Sequence, residues 1–299
     1  MHAGVLNELI QNLIDALALG SLYALIALGV AVIYTVMGLL NFAQGEFIML
    51  PAYALYLLAG LPFGAALAGA LLSGIGVAVV AERVAFRPVR DADPAAQLVT
   101  SLAVAAILQN LVSVGVDARS RSIATPQVLS EATAIAGIAV PNLEFLTLGL
   151  TAIVLGGLGW LLYRTRFGLA MRAAAENFEM ARLLGVSADR LVAVAFAISG
   201  ALAAIAGVLL VMQTGQVSPT MGLTPVLVGF VAVEIGGLGR IGGAVAGGML
   251  LGMLTALLGA YLPAGVLPFR DAIVFSVPIA ILVVRPQGLL GGAVGQARV

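Results

Sequence analysis

Residues 16–37 read ALALGSLYALIALGVAVIYTVM, and residues 191–213 read LVAVAFAISGALAAIAGVLLVMQ; neither run contains a charge. A helix needs about 20 apolar residues to cross the hydrocarbon core of a bilayer. In lipid, a spanning segment must also satisfy its own backbone, which a helix does. Both runs are therefore predicted membrane spans. Composition agrees, with 62% hydrophobic and only 9% charged residues, against roughly 25% charged in soluble domains. The fold class expected is an all-α polytopic membrane bundle of about eight to ten segments.

Reading apolar runs against charges gives spans near 10–37, 46–60, 62–82, 95–115, 140–163, 191–213, 225–239, 241–262 and 271–285. Arg83, Arg87, Arg90, the five arginines of 164–190, Arg240, Arg285 and Arg298 then share one side, leaving Arg119, Arg121 and Arg270 on the other. The positive-inside rule makes the richer side cytoplasmic and the amino terminus external. The whole chain reads as one transmembrane domain, residues 1–299, with a cytoplasmic loop at 164–190. NELIQNLID breaks any early apolar signal region, so the first helix is expected to act as its own insertion signal. The outer loop 116–141 is polar and contains Pro126.

Three absences narrow the chemistry. All fourteen basic residues are arginine, so no Walker A lysine or Schiff-base amine exists. Cysteine is absent and the one histidine is His2, which removes thiolate nucleophiles, disulfides and His- or Cys-ligated metal sites. Neither a catalytic residue nor a metal ligand is expected. Zero net charge gives no reason to expect a nucleic-acid partner.

Two segments are wrong for ordinary spans. GLLNFAQGEFIMLP places Asn41, Gln44, Glu46 and Pro51 where a second helix should start, and PVLVGFVAVEIGGLG carries Glu234 into a glycine-rich stretch. Interrupted helices in two halves of a chain point to a transport pathway, and polar groups inside a span face an interior or a cavity. Asn41, Gln44, Glu46 and Glu234 are the pathway candidates. Each has a plainer reading: Asn41 and Gln44 satisfying freed backbone, Glu46 favoured by the dipole of its helix, Glu234 paired with Arg240. NFAQG at 41–45 faintly echoes GRIGG at 239–243, which would fit a duplicated unit. Gly20, Ala24, Ala27 and Ala31 form a small-residue stripe suited to helix packing.

The charged stretch RTRFGLAMRAAAENFEMARLLGVSADR, residues 164–190, has helical periodicity. Met171, Ala174, Phe178 and Ala181 line one face, while Arg172, Glu176, Glu179 and Arg182 line another with expected internal ion pairs. Gly185 is placed to end the helix and Ser187 to begin the next, with Asp189 in its first turn. A solvated connector, a membrane-surface helix and a helix docked in a partner's groove all remain open on these residues alone.

This stretch resembles the cytoplasmic loop of ABC importer permeases, with Ala173–Glu176 and Gly185 at its alanine-rich start and distal glycine. GLLNFAQGEFIMLPAY, GGLGRIGGAVAGG and FRDAIVFSVPIAILVVRPQGLLG are similar to LivH-type branched-chain amino acid permeases, over about residues 10–292. The pattern departs at Gln44 and Pro51, often His and Gly in such permeases. The resemblance implies a non-enzymatic permease subunit that works with a second permease, two cytoplasmic ATPases that bind the ATP, and an extracytoplasmic solute-binding protein. It makes 171–184 a coupling helix, with Arg172, Ala175, Glu176, Phe178, Glu179, Arg182 and Gly185 at the ATPase and Phe178 as anchor. Urea or short-chain amide permeases are the nearest alternative, and an ion-coupled secondary transporter is a second.

Overall fold

The computed structural model describes residues 2–135, 138–176 and 178–290, without the side chains of 2–6, 134, 135, 138, 178 and 179. The chain enters on α1, His2–Met37, turns, and forms α2, Gln44–Leu57, and α3, Phe63–Ala81. A π-helical turn, Glu82–Phe86, and a 3-10 turn, Arg87–Val89, carry α3 to the cytoplasmic surface before α4, Pro94–Gly115, returns. The outer loop holds β1 (Arg121–Ser122), the single turn α5 (Gln127–Ser130) and the hairpin β2 (Ala132–Ile135) and β3 (Ile138–Pro141). Next come α6 (Asn142–Arg164), the cytoplasmic helical stretch described over α7 (Arg166–Glu176) and α8 (Phe178–Leu183), and α9 (Ala188–Thr214). After β4, Gln216–Val217, follow α10 (Leu223–Gly236), α11 (Ile241–Tyr261) and α12 (Arg270–Val284).

Seven helices are long and apolar enough to span a bilayer among the described residues. The other two expected spans are α2 and α10, each 14 residues. At 1.5 Å per residue each is about 21 Å long, short of a core about 30 Å thick. These are the two segments whose sequences read as broken. The most apolar stretches of α1 and α9 are 83% and 67% buried, against 11% for α4 and α12. α1 and α9 are thus the central posts, the half-helices α2 and α10 are buried with them, and the other five spans lie further out.

Packing around the posts repeats with reversed direction. α1 packs on α10 and α11, and α9 packs on α2 and α3. A Cβ added at Gly252 would lie 2.4 Å from the Gly20 Cα, and one at Gly248 would lie 2.6 Å from the Ala24 Cα. α11 therefore runs antiparallel to α1, along the predicted small-residue stripe. On the other post, Gly200 meets the Gly74 carbonyl and the Ala78 methyl of α3 in the same way. Such close approach is how helices associate where lipid removes the hydrophobic driving force. The order of post, half-helix, full span and outer helix is followed first by α1–α4 and then, inverted across the membrane, by α9–α12.

The repeat corrects the expected alignment of 41–45 with 239–243. The second stretch is a cytoplasmic turn between α10 and α11, with positive φ at Gly237 and Gly239. The counterpart of the segment before α2 is instead 215–222, which leads into α10. The two half-helices begin against one another. A Cβ at Gly45 would sit 2.8 Å from the Gly222 carbonyl oxygen, and one at Gly222 would sit 2.0 Å from that of Gly45.

The remaining loops seal the bundle's ends. β1 pairs antiparallel with β4, fastening the outer loop to the external end of α9, and the Arg119 N–H and Arg121 guanidinium hold the Asp117 carboxyl below the usual carboxylate range. On the cytoplasmic side the segment after α12 passes under α10, where the Leu289 N–H donates to the Ile235 carbonyl at 2.6 Å and Leu290 to that of Gly236 at 3.3 Å. Carbonyls left open at a helix C-terminus are thereby satisfied.

Replacing Gly222 by Ala should cost at least about 1–3 kcal/mol through overpacking against backbone. A depressed thermal midpoint in detergent is the expected readout, with Gly60→Ala, which meets nothing within 4 Å, unchanged; equal midpoints for the two would contradict the contact.

Candidate functional site

The break before α2 gathers polar groups inside the bundle. The Asn41 Oδ1 accepts from the Ala43 N–H at 3.0 Å, turning the chain into the half-helix. The Phe42 N–H donates to the Ser101 hydroxyl of α4 at 3.3 Å, and the Phe42 ring meets that of Phe230 in α10 edge-on at 4.9 Å. The Ser199 hydroxyl of α9 lies 2.7 Å from the Gly29 carbonyl of α1 and 2.8 Å from the Gln44 Oε1. Its single proton is shared between the two posts and the half-helix.

Asn41, Gln44 and Glu46 are all buried, as expected for groups facing an interior. Among the described residues the Asn41 Nδ2, Gln44 Nε2 and Glu46 Oε2 have no hydrogen-bond partner. The first backbone N–H groups of α2 are engaged in tight turn bonds to Asn41, Phe42 and Ala43, and Pro225 in α10 has none to offer. Free donors at the break are therefore side-chain amides, set between two positive helix ends. Glu46 lies in the first turn of α2 without making a cap bond.

Glu234 stands apart. It is exposed on the cytoplasmic half of α10, away from the Asn41–Gln44–Glu46 group, and Arg240 donates to the Leu290 carbonyl instead of pairing with it. Two further polar members at the break are Ser101 and Ser199, each signalled in the sequence only by one hydroxyl within a predicted span.

The cytoplasmic stretch also differs from expectation. It is helical over both described parts, Arg166–Glu176 and Phe178–Leu183, with the Thr165 hydroxyl accepting from the Gly168 N–H at 3.2 Å to open α7. The face of Met171, Ala174 and Ala181 is not available to a partner, because these residues are buried in the chain's own core. Arg172 lies over the Tyr163 ring, 5.4 Å from its centre, and among the described side chains it forms no ion pair with Glu176. Ala175 is half-buried, while Glu176, Arg182 and Gly185 are exposed. The side chains of Phe178 and Glu179 lie outside the described residues. Leu183 and Leu184, which the sequence reading passed over, are 81% and 78% exposed.

Gly185 ends α8 as predicted. With φ of 89°, it allows its N–H to reach the Arg182 carbonyl and the Val186 N–H that of Ala181, both at 3.0 Å, the double closure of a Schellman turn. Ser187 then occupies the N-cap position of α9, without a side-chain cap bond. Asp189 in that first turn accepts from both Arg87 and Arg90, the latter at 2.7 Å. Arg90 also holds Glu82 at 2.6 Å, and Glu82 is 1% exposed. The turn that follows the cytoplasmic helices is thus bolted to the inner end of α3.

Half-helices opposed inside a ring of spans, a buried polar break and an exposed helical stretch at one surface define a solute-transport permease. The chain belongs to the family described as the branched-chain amino acid transport system permease component, which matches residues 12–284. It is 34% identical over 296 residues to the high-affinity branched-chain amino acid permease BraD of Pseudomonas aeruginosa, covering 94% of this chain and 95% of that one. To LivH of Escherichia coli K12 it is 33% identical over 298 residues, with the same coverage. The probable LivH of Methanocaldococcus jannaschii is 29% identical over 307 residues, 96% of this chain and 95% of its own. The family and the seven apolar spans make the chain a multi-pass inner-membrane permease.

Arg90→Ala would leave Glu82 buried and unpaired, a loss of about 3–5 kcal/mol. We expect a lowered thermal midpoint that Arg90→Ala combined with Glu82→Gln partly restores; a double variant as unstable as the single would argue against the pair.

Proposed function

We propose that the chain is the membrane-spanning subunit of an importer for branched-chain amino acids, driven by ATPase subunits on separate chains. A second permease completes the pathway, two ATPases bind the ATP, and an extracytoplasmic binding protein delivers the solute. The observation that carries this reading is the rigid connection from α7–α8, through Gly185 and Asp189, to α3 and α9 on either side of the polar break. Family membership supplies the substrate class, through relatives whose names carry it. The lack of lysine fits a chain that leaves nucleotide chemistry to its partners.

In this reading Asn41, Gln44 and Glu46 line the route. The two amide nitrogens and the converging helix ends suit a carboxylate, and the Glu46 oxygen suits an ammonium group. A zwitterion passing between the half-helices would exchange water for both. Glu234 is left out of this route because its side chain faces away from the break.

Closure of the ATPases would push on the exposed surface of α7–α8, formed by Glu176, Arg182, Leu183 and Leu184, with Arg172, Ala175, Phe178, Glu179 and Gly185 alongside. The displaced α9 turn would draw Arg87 and Arg90 with it, and α3 would move against α2. Salt bridges as exposed as Arg87–Asp189 add little stability, but the Glu82 end is buried and makes the linkage stiff.

Proteoliposomes holding the whole complex should take up L-leucine only with ATP and binding protein, and this chain alone should take up none. Uptake by the lone chain down an ion gradient would overturn the proposal. Leu183→Asp with Leu184→Asp should weaken ATPase association about thirtyfold, the effect of losing a contact worth ~2 kcal/mol, while membrane insertion is retained. Phe178→Ala and Glu179→Arg are expected to act in the same direction, and unchanged co-purification of the ATPase with all of them would remove the docking assignment.

A further inference from the structure

A cavity of about 410 Å³ opens at the outer end of the bundle, between α1, α6, α9 and α11 and beneath the outer loop. That is within the range of small-molecule sites, roughly 300–1,000 Å³. Its polar lining is Asp15, Thr125, Ser130, Glu144 and Gln213, and no arginine lines it.

The hydrogens of its hydroxyls are already committed. Thr125 donates to the Met212 carbonyl at 3.3 Å and Ser130 to the Gln127 carbonyl at 3.0 Å. Each hydroxyl therefore offers the cavity only lone pairs. Asp15 of α1 and Glu144 of α6 line it together, and the Glu144 Oε2 is buried with no hydrogen-bond partner among the described residues. Apart from the Gln213 amide, everything polar here accepts. A cavity of acceptors beside two carboxylates selects a ligand rich in donors and positive charge.

Its position is equally specific. Asp15 and Gly29 are both on α1, and Gln213 and Ser199 are both on α9. Fourteen residues separate each pair, about 21 Å of helix. The cavity therefore stands on the same α1–α9 seam as the Ser199–Gln44–Gly29 junction, on its external side. Leu19, Leu129 and Met212 supply an apolar wall.

We infer that this cavity receives the ammonium group of an aliphatic amino acid entering from outside, between Asp15 and Glu144, with its side chain against Leu19, Leu129 and Met212. The inference rests on the importer reading and adds to it an external reception site distinct from the mid-membrane break. The carboxylate end of the ligand would meet the Gln213 amide or face solvent.

The test uses the complete transporter in lipid nanodiscs, without binding protein, and measures retention of radiolabelled L-leucine by equilibrium dialysis. Weak saturable binding is expected, displaced by 3-methylbutylamine, which keeps the ammonium, and not by 4-methylpentanoate, which lacks it. Glu144→Gln and Asp15→Asn should each weaken it about tenfold to a hundredfold, the loss of a charge-assisted hydrogen bond. Displacement by sodium chloride as effective as by the amine would make this an inorganic-cation site and overturn the inference. Absence of saturable binding, which is what two carboxylates sharing only a proton would give, overturns it too, as does binding undiminished in both variants. The competition series on the unaltered protein decides the matter even if a variant fails to fold. If the complex with its binding protein imports leucine but the site does not bind it, only this inference fails; if no import occurs, the functional reading fails first.

Discussion

Everything in the bundle is arranged around two helices that begin inside it. A chain interrupted within a bilayer has backbone groups that lipid cannot hydrogen-bond, so an interruption is tolerable only when wrapped. Here α1 and α9 do the wrapping, and the Gly45–Gly222 approach is close enough that neither position has room for a side chain. The Asx turn at Asn41 and the shared Ser199 proton satisfy part of the exposed polarity. The part left over is two amide nitrogens and a carboxylate oxygen, which we propose a passing zwitterion meets.

In the proposed mechanism the same wrapping carries a force at the surface to the centre. α7 and α8 bury one face against their own chain and leave the other outside, so a push is not absorbed by a loose loop. The Schellman turn at Gly185 fixes the angle at which α9 begins. From there the Asp189–Arg90–Glu82 chain ends on a buried carboxylate, where any slack would leave a charge unpaired in an apolar surround.

Much of this was legible in the sequence because membrane segments announce themselves by length. The spans and both short helices followed from apolar runs and the polar interruptions at 41–46 and 225–239. Gly185 was readable because helix ends favour glycine for one conformational reason. What could not be read were pairings across space. Met171 and Ala174 lie on an apolar face, but periodicity cannot say whether that face meets a partner or its own chain. The repeat was misaligned because inversion preserves the order of elements and not local sequence. Glu234 looked interior because hydropathy reports depth in the membrane, not which way a side chain points. Asp15 and Glu144 were invisible as a pair, being brought together only by the packing of α6 on α1.

One consequence follows from the inversion of α1–α4 into α9–α12. A device made of two like parts facing opposite ways has no built-in preference for inward or outward flow, since each deformation of one part is mirrored by the other. Directionality must enter through whatever the parts do not share. Among the described elements those are the outer loop and α6 with its cytoplasmic extension, the latter a handle fitted to one side of an otherwise reversible lock.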